Sequence, residues 1–164
     1  MSDNLEVLVG SLLRDRGWRL AVAESCTGGL IGHRLTNIPG SSTYYLGSIT
    51  AYAYKAKVRL LGVKWETLEE FGAVSEPVVL QMAIGVRRVL AADVGLSVSG
   101  IAGPGGGTES KPIGLTYFGI SIPNQEQAWK AVFQGDRINN KEQSAEMGLQ
   151  LLANFLERTL DGID

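Results

Sequence analysis

The sequence predicts a three-layer α/β/α sandwich on a mixed, mostly parallel sheet with an antiparallel edge hairpin. Helical and extended patterns alternate along most of the chain, as they do where helices connect parallel strands. Residues 94–101 are almost continuously apolar, which is typical of a central strand covered on both faces. Two extended runs, 113–122 and 128–133, are joined through Pro-Asn-Gln at 123–125, and this pattern indicates the hairpin.

The amino-terminal elements follow from apolar spacing and from residues that end helices. Leucines at helical spacing over 4–16 predict an amphipathic helix, which ends at Gly17. The run 18–23 predicts the first strand. A second helix follows and ends before Pro39, because the residue before a proline disfavours helical backbone.

Composition and spacing predict the remaining elements in chain order: a strand over 44–52, helices over 54–61, 65–71 and 78–90, the strands named above, and a closing helix over 140–160. The first of these strands is rich in aromatic and β-branched residues. Gly62 ends the helix after it. Pro77 suits the start of helix 78–90, because proline needs no backbone donor in the first turn.

The composition favours a soluble globular protein with one domain over residues 1–164. The chain has 164 residues, 45% of them hydrophobic and 20% charged. A net charge of −2 with scattered basic residues argues against nucleic-acid binding. The sequence shows no signal segment and no apolar run of about 20 residues, so we expect a cytoplasmic protein without membrane contact. The single cysteine, Cys26, excludes an internal disulfide and a multi-cysteine metal site.

The apolar run of the first strand is followed by Glu-Ser-Cys-Thr-Gly-Gly at 24–29. This pattern predicts a strand, a tight turn and a helix start, with Ser25 or Thr27 as the helix cap. Gly28 and Gly29 would let backbone N–H groups approach a phosphate or a carboxylate without a Cβ in the way. An ordinary turn with a good cap explains the same pattern, so this segment alone does not decide between the two.

Five glycines fall within residues 100–108, which we call the glycine-rich loop. Such a segment is either a solvated linker or a ligand loop, and we favour the ligand loop. Because both glycine-containing turns follow the carboxyl ends of strands, we expect them to face one crevice. The candidate binding residues in and beside this loop are Ser99, Gly100, Gly103, Gly105, Gly106 and Thr108.

The only histidine, His33, does not suit a serine–histidine pair. On a helix that begins near Thr27 it would lie about 9 Å along the axis from Ser25, beyond hydrogen-bond reach. A buried lysine is an alternative base, because burial disfavours its charged form. Lys57, among apolar neighbours on a short helix, is the best candidate, although an exposed lysine on an amphipathic helix gives the same pattern.

Other side chains near these turns have two interpretations each. Cys26 could be a thiolate nucleophile at a helix start or a small buried residue. Glu24 could hold a substrate hydroxyl or amide, or pair with backbone N–H groups. Arg137 could bind phosphate or simply be exposed, and the preceding Asp136 could cap the closing helix. The glutamates of helix 65–71 do not have metal-ligand spacing.

Several sequence blocks together resemble the CinA C-terminal domain family, which is the nicotinamide-nucleotide amidase (NMN deamidase) family. In chain order they are ESCTGG at 24–29, PGSS at 39–42, GAVSEPV at 72–78, SGIAGPGG at 99–106 and GDR at 135–137. The resemblance covers about residues 5–157. No molybdopterin-binding-like domain precedes it, so we expect the stand-alone form.

The resemblance implies an α/β/α fold and hydrolysis of nicotinamide mononucleotide to nicotinate mononucleotide and ammonia, without a metal or other cofactor. It implies Ser42 as the nucleophile and Lys57 as its base, with Ser25 as the rival nucleophile. If Ser42 attacks, Ser25 and the backbone of 27–29 would hold phosphate or the carboxamide oxygen. The supporting site residues are then Ser25, Tyr52 and Ser99, and Ser41 is a candidate for binding the substrate or its phosphate.

Two segments depart from the family pattern: residues 52–57, and residues 140–142, where the closing helix weakens the basic pattern that usually follows GDR. Where Tyr-Ser-Asn-x-x-Lys is usual, this chain has Tyr-Ala-Tyr-Lys-Ala-Lys at 52–57, so Ala53 and Tyr54 replace a small hydroxyl and an amide. The alternative function is therefore a catalytically inactive nucleotide-binding or regulatory paralogue. Since Lys57 is retained, we expect an enzyme.

Two physical expectations accompany this mechanism. A neutral Lys57 requires a pKa below the usual value of about 10.4, which burial and like charge from Lys55 or Arg137 would provide. We also expect a homodimer. Its contact would be formed by Trp65, Phe71, Tyr44 and Tyr45.

Overall fold

A five-stranded mixed sheet forms the middle layer of the computed structural model, which describes residues 4–161. The strands are β1 Leu20–Glu24, β2 Tyr45–Thr50, β3 Val94–Gly100, β4 Leu115–Ile122 and β5 Gln125–Val132. Their order is β2-β1-β3-β4-β5. β1 pairs in parallel with β2 and β3, whereas β4 is antiparallel to β3 and β5. The expected mixed sheet with an antiparallel edge hairpin is confirmed.

Helices cover both faces of this sheet. They are α1 Leu5–Arg16, α2 Leu30–Thr36, α3 Tyr54–Leu61, α4 Trp65–Phe71, α5 Glu76–Val89 and α6 Arg137–Asp161. The core on one face is formed with α1, α2 and α6, and the core on the other face with α3, α4 and α5. β1 is buried along its whole length, as a strand between two such layers must be.

Three helix starts differ from the sequence-based prediction by two residues or more. α5 begins at Glu76 instead of at residue 78. α2 begins at Leu30 because Gly28 and Gly29 take φ values of 62° and 105°, which continue the turn instead of the helix. α6 begins at Arg137, three residues earlier than predicted. Its start is capped by Asp136, whose carboxylate accepts a hydrogen bond of 2.8 Å from the Asn139 N–H. The predicted capping role of Asp136 is confirmed.

Strand register decides which loops meet at each end of the sheet. Glu24, the last residue of β1, pairs with Thr50 in β2 and with Val98 in β3. The residues that follow these positions therefore lie together at the carboxyl edge of the parallel strands. A short 3₁₀ helix, Ser41–Thr43, precedes β2. It lies at the amino ends of the parallel strands, because Tyr45 pairs with Leu20 at the start of β1.

The aromatic residues expected at a homodimer contact are not equally available. Trp65 and Phe71 are exposed, but Tyr44 is buried in the core beside Gly10, so it cannot line an outer surface in this fold. The homodimer itself stays a prediction. Within residues 4–161, no helix is both long enough and apolar enough to cross a bilayer.

Candidate active site

Ser25 and Lys57 meet at the carboxyl edge of the parallel strands. The Lys57 amine nitrogen lies 2.8 Å from the Ser25 hydroxyl oxygen, and both side chains are buried. Ser25 is held at the end of β1 because its backbone N–H donates to the Val98 carbonyl at 3.1 Å. The expected lysine base is thus placed beside a serine hydroxyl.

Two backbone carbonyls complete the surroundings of the Lys57 amine. The carbonyl oxygens of Ala51 and Tyr52 each lie 2.9 Å from its nitrogen. The segment that carries them is fixed to β1, since the Ala51 N–H donates to the Glu24 carbonyl at 2.9 Å. Among the described residues, no carboxylate forms a salt bridge with Lys57.

This environment favours the neutral amine. Lys57 is only 1% exposed, and burial lowers its pKa from the usual 10.5 to about 8, while the Cys26 thiol acts in the opposite direction. The expected lowering of the Lys57 pKa is present, and burial, one of its two expected causes, produces it. Lys55 is exposed on α3, and neither Lys55 nor Arg137 contributes the like charge that the sequence suggested.

The structure does not bring the expected nucleophile, Ser42, to Lys57. Ser41 and Ser42 lie in the 3₁₀ helix at the amino edge of the sheet, and Ser42 is exposed. The length of β1, about 16 Å for five residues, separates that edge from Ser25 and Lys57. Within one chain, the serine beside Lys57 is therefore Ser25, and Ser41 and Ser42 lie outside this site.

Glu24 takes the second of its two expected roles. Its carboxylate is fully buried and accepts hydrogen bonds from the N–H groups of Ile31 at 2.9 Å and Gly32 at 3.1 Å. It also accepts one from the Thr27 hydroxyl at 2.7 Å. Glu24 thus replaces the predicted Ser25 or Thr27 cap of α2, and both of its carboxylate oxygens are engaged within the protein.

Cys26 and His33 are both unsuited to the roles of nucleophile and base. Burial raises the pKa of Cys26 to about 11, although the charges of Lys57 and Lys141 act in the opposite direction. Cys26 is therefore a small buried residue that remains a thiol near neutral pH. His33 is exposed on α2, away from the contact between Ser25 and Lys57, as the sequence indicated.

Tyr52 and Arg137 connect this site to the glycine-rich loop. The Arg137 guanidinium donates to the Gly103 carbonyl at 2.8 Å and to the Tyr52 hydroxyl at 3.2 Å. Tyr52 therefore contacts Lys57 through its carbonyl and Arg137 through its side chain. The Asn140 amide, which the sequence analysis missed, donates to the Ala102 carbonyl at 3.0 Å and anchors the same loop to α6.

The other residues predicted in and beside this loop differ in burial. Ser99 is buried and is the penultimate residue of β3, next to the end of β1 that Ser25 follows. Gly100 is needed for packing, since a Cβ there would lie 2.5 Å from the Thr116 hydroxyl oxygen. The exposed part of the loop contains Gly105, Gly106 and Thr108.

A cavity of about 380 Å³ opens beside the turn that carries Ser25. Its lining residues are Thr27, Gly28, Gly29, Leu30, His33, Ile138, Lys141 and Glu142. The predicted residues Thr27, Gly28 and Gly29 are thus brought together at one concave surface. Lys141 was missed by sequence analysis, although it follows Arg137 by four residues and helical spacing places both on one side of α6.

The donor set of the site does not resemble a metal centre. Within residues 4–161, no group of three or more histidine, cysteine, aspartate or glutamate side chains is arranged to hold a metal ion.

Comparison with known proteins gives one consistent result. A model of the CinA C-terminal domain matches residues 2–156. A putative competence-damage inducible protein of Moorella thermoacetica is 51% identical over 150 residues, which are 92% of this chain and 36% of that protein. A CinA-like protein of Salinibacter ruber is 51% identical over 146 residues, which are 89% of this chain and 35% of that protein. This chain thus spans about a third of the length of these curated relatives.

Solved structures agree with this comparison. A CinA superfamily protein from Klebsiella pneumoniae has a TM-score of 0.91 at 31% identity, over 96% of this chain and 99% of that one. A competence or damage-inducible protein from Enterobacter asburiae has a TM-score of 0.89 at 36% identity, over 93% of this chain and 96% of that one. The likeness extends across nearly the whole sheet and its helices.

Proposed function

We propose that this chain, which belongs to the CinA C-terminal domain family, hydrolyses the carboxamide of nicotinamide mononucleotide to nicotinate mononucleotide and ammonia. In this proposal Ser25 is the nucleophile and Lys57 is the general base. The observation that carries it is the 2.8 Å contact between the Lys57 nitrogen and the Ser25 oxygen. The choice of substrate comes from the family resemblance and from the mononucleotide chemistry that the resemblance implies.

The contacts of Lys57 fit the amine both as a protonated donor and as a neutral base. A neutral amine has two N–H donors and one lone pair, and the carbonyls of Ala51 and Tyr52 can accept both donors. The protonated amine donates its third N–H to the Ser25 hydroxyl oxygen. Once the amine is neutral, its lone pair is left for the Ser25 hydroxyl proton. A lysine that only neutralised charge would have a carboxylate partner, and the described residues provide none.

The reaction proceeds through an ester on Ser25. The Ser25 oxygen bonds to the carboxamide carbon while its proton moves to the Lys57 amine. The carbon–nitrogen bond then breaks, and Lys57 gives this proton to the departing nitrogen, which leaves as ammonia. Water attacks the ester carbon and gives a proton to Lys57, the bond to the Ser25 oxygen breaks, and Lys57 returns the proton to that oxygen. Nicotinate mononucleotide leaves as the product.

Negative charge develops on the carboxamide oxygen during both additions. In this proposal a backbone N–H group next to Ser25 would stabilise this oxygen, as backbone donors do in other serine acyl-transfer sites. Because the turn after Ser25 is held by β1 and by the Glu24 carboxylate, this donor is already ordered before the substrate binds. Ordered donors stabilise the transition state without a reorganisation cost.

The departures at Ala53 and Tyr54 leave the proposed dyad intact. Tyr54 points towards α4, where its ring meets Trp65 edge-on at 6.1 Å and its hydroxyl accepts from the Ala73 N–H at 3.3 Å. Ala53 is the residue before α3 and makes no capping hydrogen bond. Neither change removes a partner of the Lys57 amine, so both are compatible with catalysis.

Ammonia release from purified protein tests this function. The panel should contain nicotinamide mononucleotide, nicotinamide riboside and nicotinamide, each assayed with wild type and with Ser25→Ala. We expect release from the mononucleotide by wild type and a loss of about 10³-fold or more in kcat for Ser25→Ala. Binding of the mononucleotide without ammonia release by wild type would instead support an inactive nucleotide-binding paralogue.

A further inference from the structure

The usual anion site at this edge of the sheet is already occupied by the protein itself. Backbone N–H groups at a helix start attract phosphate, and the turn before α2 suggested such a site. In the structure, the N–H groups of Ile31 and Gly32 donate to the Glu24 carboxylate instead. A phosphate near Ser25 therefore needs another source of positive charge.

Arg137, the cation expected to bind phosphate, is also engaged. Its guanidinium donates to the Gly103 carbonyl and to the Tyr52 hydroxyl, so two of its nitrogens already form hydrogen bonds within the protein. The next cation along α6 is Lys141, and it lies over the turn. Its amine nitrogen is 3.7 Å from the point that a Cβ on Gly28 would occupy.

Lys141 is available to a ligand. Among the described residues it forms neither a salt bridge nor a side-chain hydrogen bond, although Glu142 is its neighbour in the cavity. The cavity volume of about 380 Å³ lies within the range of about 300–1,000 Å³ that is typical of small-molecule sites. Its wall continues the turn that carries Ser25, since the Gly28 N–H donates to the Ser25 carbonyl at 3.1 Å.

We infer that Lys141 and the turn of Thr27, Gly28 and Gly29 bind the phosphate of the ligand whose carboxamide reaches Ser25. This inference rests on the proposed function for the identity of the ligand. The absence of a Cβ at Gly28 leaves room for a phosphate oxygen between the backbone and the Lys141 amine. Glu142 lines the same cavity and opposes the binding of a dianion, so it limits the affinity.

The inferred site predicts a preference between related ligands. A nucleoside lacks the phosphate and gains nothing from Lys141, whereas a mononucleotide gains a charge-assisted contact. Lys141 therefore selects the phosphorylated substrate, while the contact between Ser25 and Lys57 acts on the carboxamide. The two ends of the ligand are recognised by different elements, α6 and the end of β1.

Calorimetric titration separates this inference from the proposed reaction. Nicotinamide mononucleotide and nicotinamide riboside are titrated into Ser25→Ala, alone and combined with Lys141→Met, so that no turnover is required. We expect Lys141→Met to weaken mononucleotide binding by about 10- to 100-fold and to leave riboside binding unchanged. Glu142→Gln should strengthen mononucleotide binding, and Lys141→Arg should preserve it.

Lys64→Met is the matched control, because Lys64 is an exposed lysine next to α4, outside the cavity. It should change neither affinity. The inference is overturned if Lys141→Met binds the mononucleotide as tightly as its parent, if it weakens both ligands equally, or if the Ser25→Ala protein does not bind the mononucleotide. Loss of mononucleotide binding in Lys141→Met would support the phosphate site even if wild type released no ammonia.

Discussion

The Lys57 amine nitrogen lies 2.8 Å from the Ser25 hydroxyl oxygen, although 32 positions separate the two residues in the sequence. β1 delivers Ser25 to the carboxyl edge of the sheet, and the chain returns through β2 to place α3 over it. Both residues depend on parallel strand pairing for their contact. The chemistry of the site is therefore a direct product of the fold.

Activity should depend on the protonation of Lys57. Because a protonated amine cannot accept the Ser25 proton, kcat/KM should rise with pH and level off above an apparent pKa of about 8. Lys57→Arg should abolish turnover, since guanidinium stays protonated at any workable pH. The measurement is a kcat/KM profile from mildly acidic to alkaline pH. If the acidic limb disappears in His33→Ala, histidine and not Lys57 controls the proton transfer.

The same lowered pKa should be visible in stability. Between pH 8 and 10.5 the folded protein has released the Lys57 proton that the unfolded chain still holds, so the free energy of unfolding should rise with pH by up to about 3 kcal/mol. Below pH 8 both states hold the proton and this contribution is flat. Denaturant unfolding of wild type and Lys57→Met across this range measures the difference. Lys64→Met should follow wild type, and an identical slope in Lys57→Met would contradict the buried neutral amine.

Glu24 should contribute strongly to stability. Glu24→Ala leaves the N–H groups of Ile31 and Gly32 and the Thr27 hydroxyl without their acceptor. Each unsatisfied group costs about 1–3 kcal/mol. We therefore expect the free energy of unfolding to fall by roughly 3 kcal/mol or more and Tm to fall by roughly 6–12 °C. Glu66→Ala, an exposed glutamate on α4, should stay within about 0.5 kcal/mol of wild type. A similarly small effect of Glu24→Ala in calorimetry would show that water replaces the carboxylate.

Ala53 offers a site for stabilisation without loss of function. It is the N-cap of α3, has extended backbone angles and makes no capping hydrogen bond. Ala53→Ser should stabilise α3 by about 1 kcal/mol and raise Tm by about 2–4 °C. Ala56→Ser, inside the same helix, should not stabilise the protein. Thermal unfolding distinguishes the two, and equal effects would show that the cap position of Ala53 has no special role.

Much of the fold was predictable because apolar periodicity is a local signal. The central strand β3, the hairpin of β4 and β5, and the short helices α3 and α4 all appear close to where the sequence indicated them. Which serine lies beside Lys57 could not be predicted from local patterns. Ser42 is nearer to Lys57 in the sequence. Strand register, however, places Ser42 at the amino ends of the parallel strands and Lys57 at their carboxyl ends.

Other site features also depended on tertiary structure. The sequence left two roles open for Glu24, and only the packing of α2 against the end of β1 shows that its carboxylate caps the helix. The position of Lys141 over Gly28 depends on how α6 crosses the sheet, which no local pattern reports. Motif recognition pointed to the glycines and to Lys57, and side-chain geometry was needed to connect them.

The most direct test of the account compares two serine variants in one assay. Ser25→Ala and Ser42→Ala are assayed for ammonia release from nicotinamide mononucleotide, with folding verified by thermal unfolding. The account predicts that Ser25→Ala loses about 10³-fold or more in kcat while Ser42→Ala, at the opposite edge of the sheet, retains wild-type turnover. Full activity in Ser25→Ala together with loss in Ser42→Ala would contradict it.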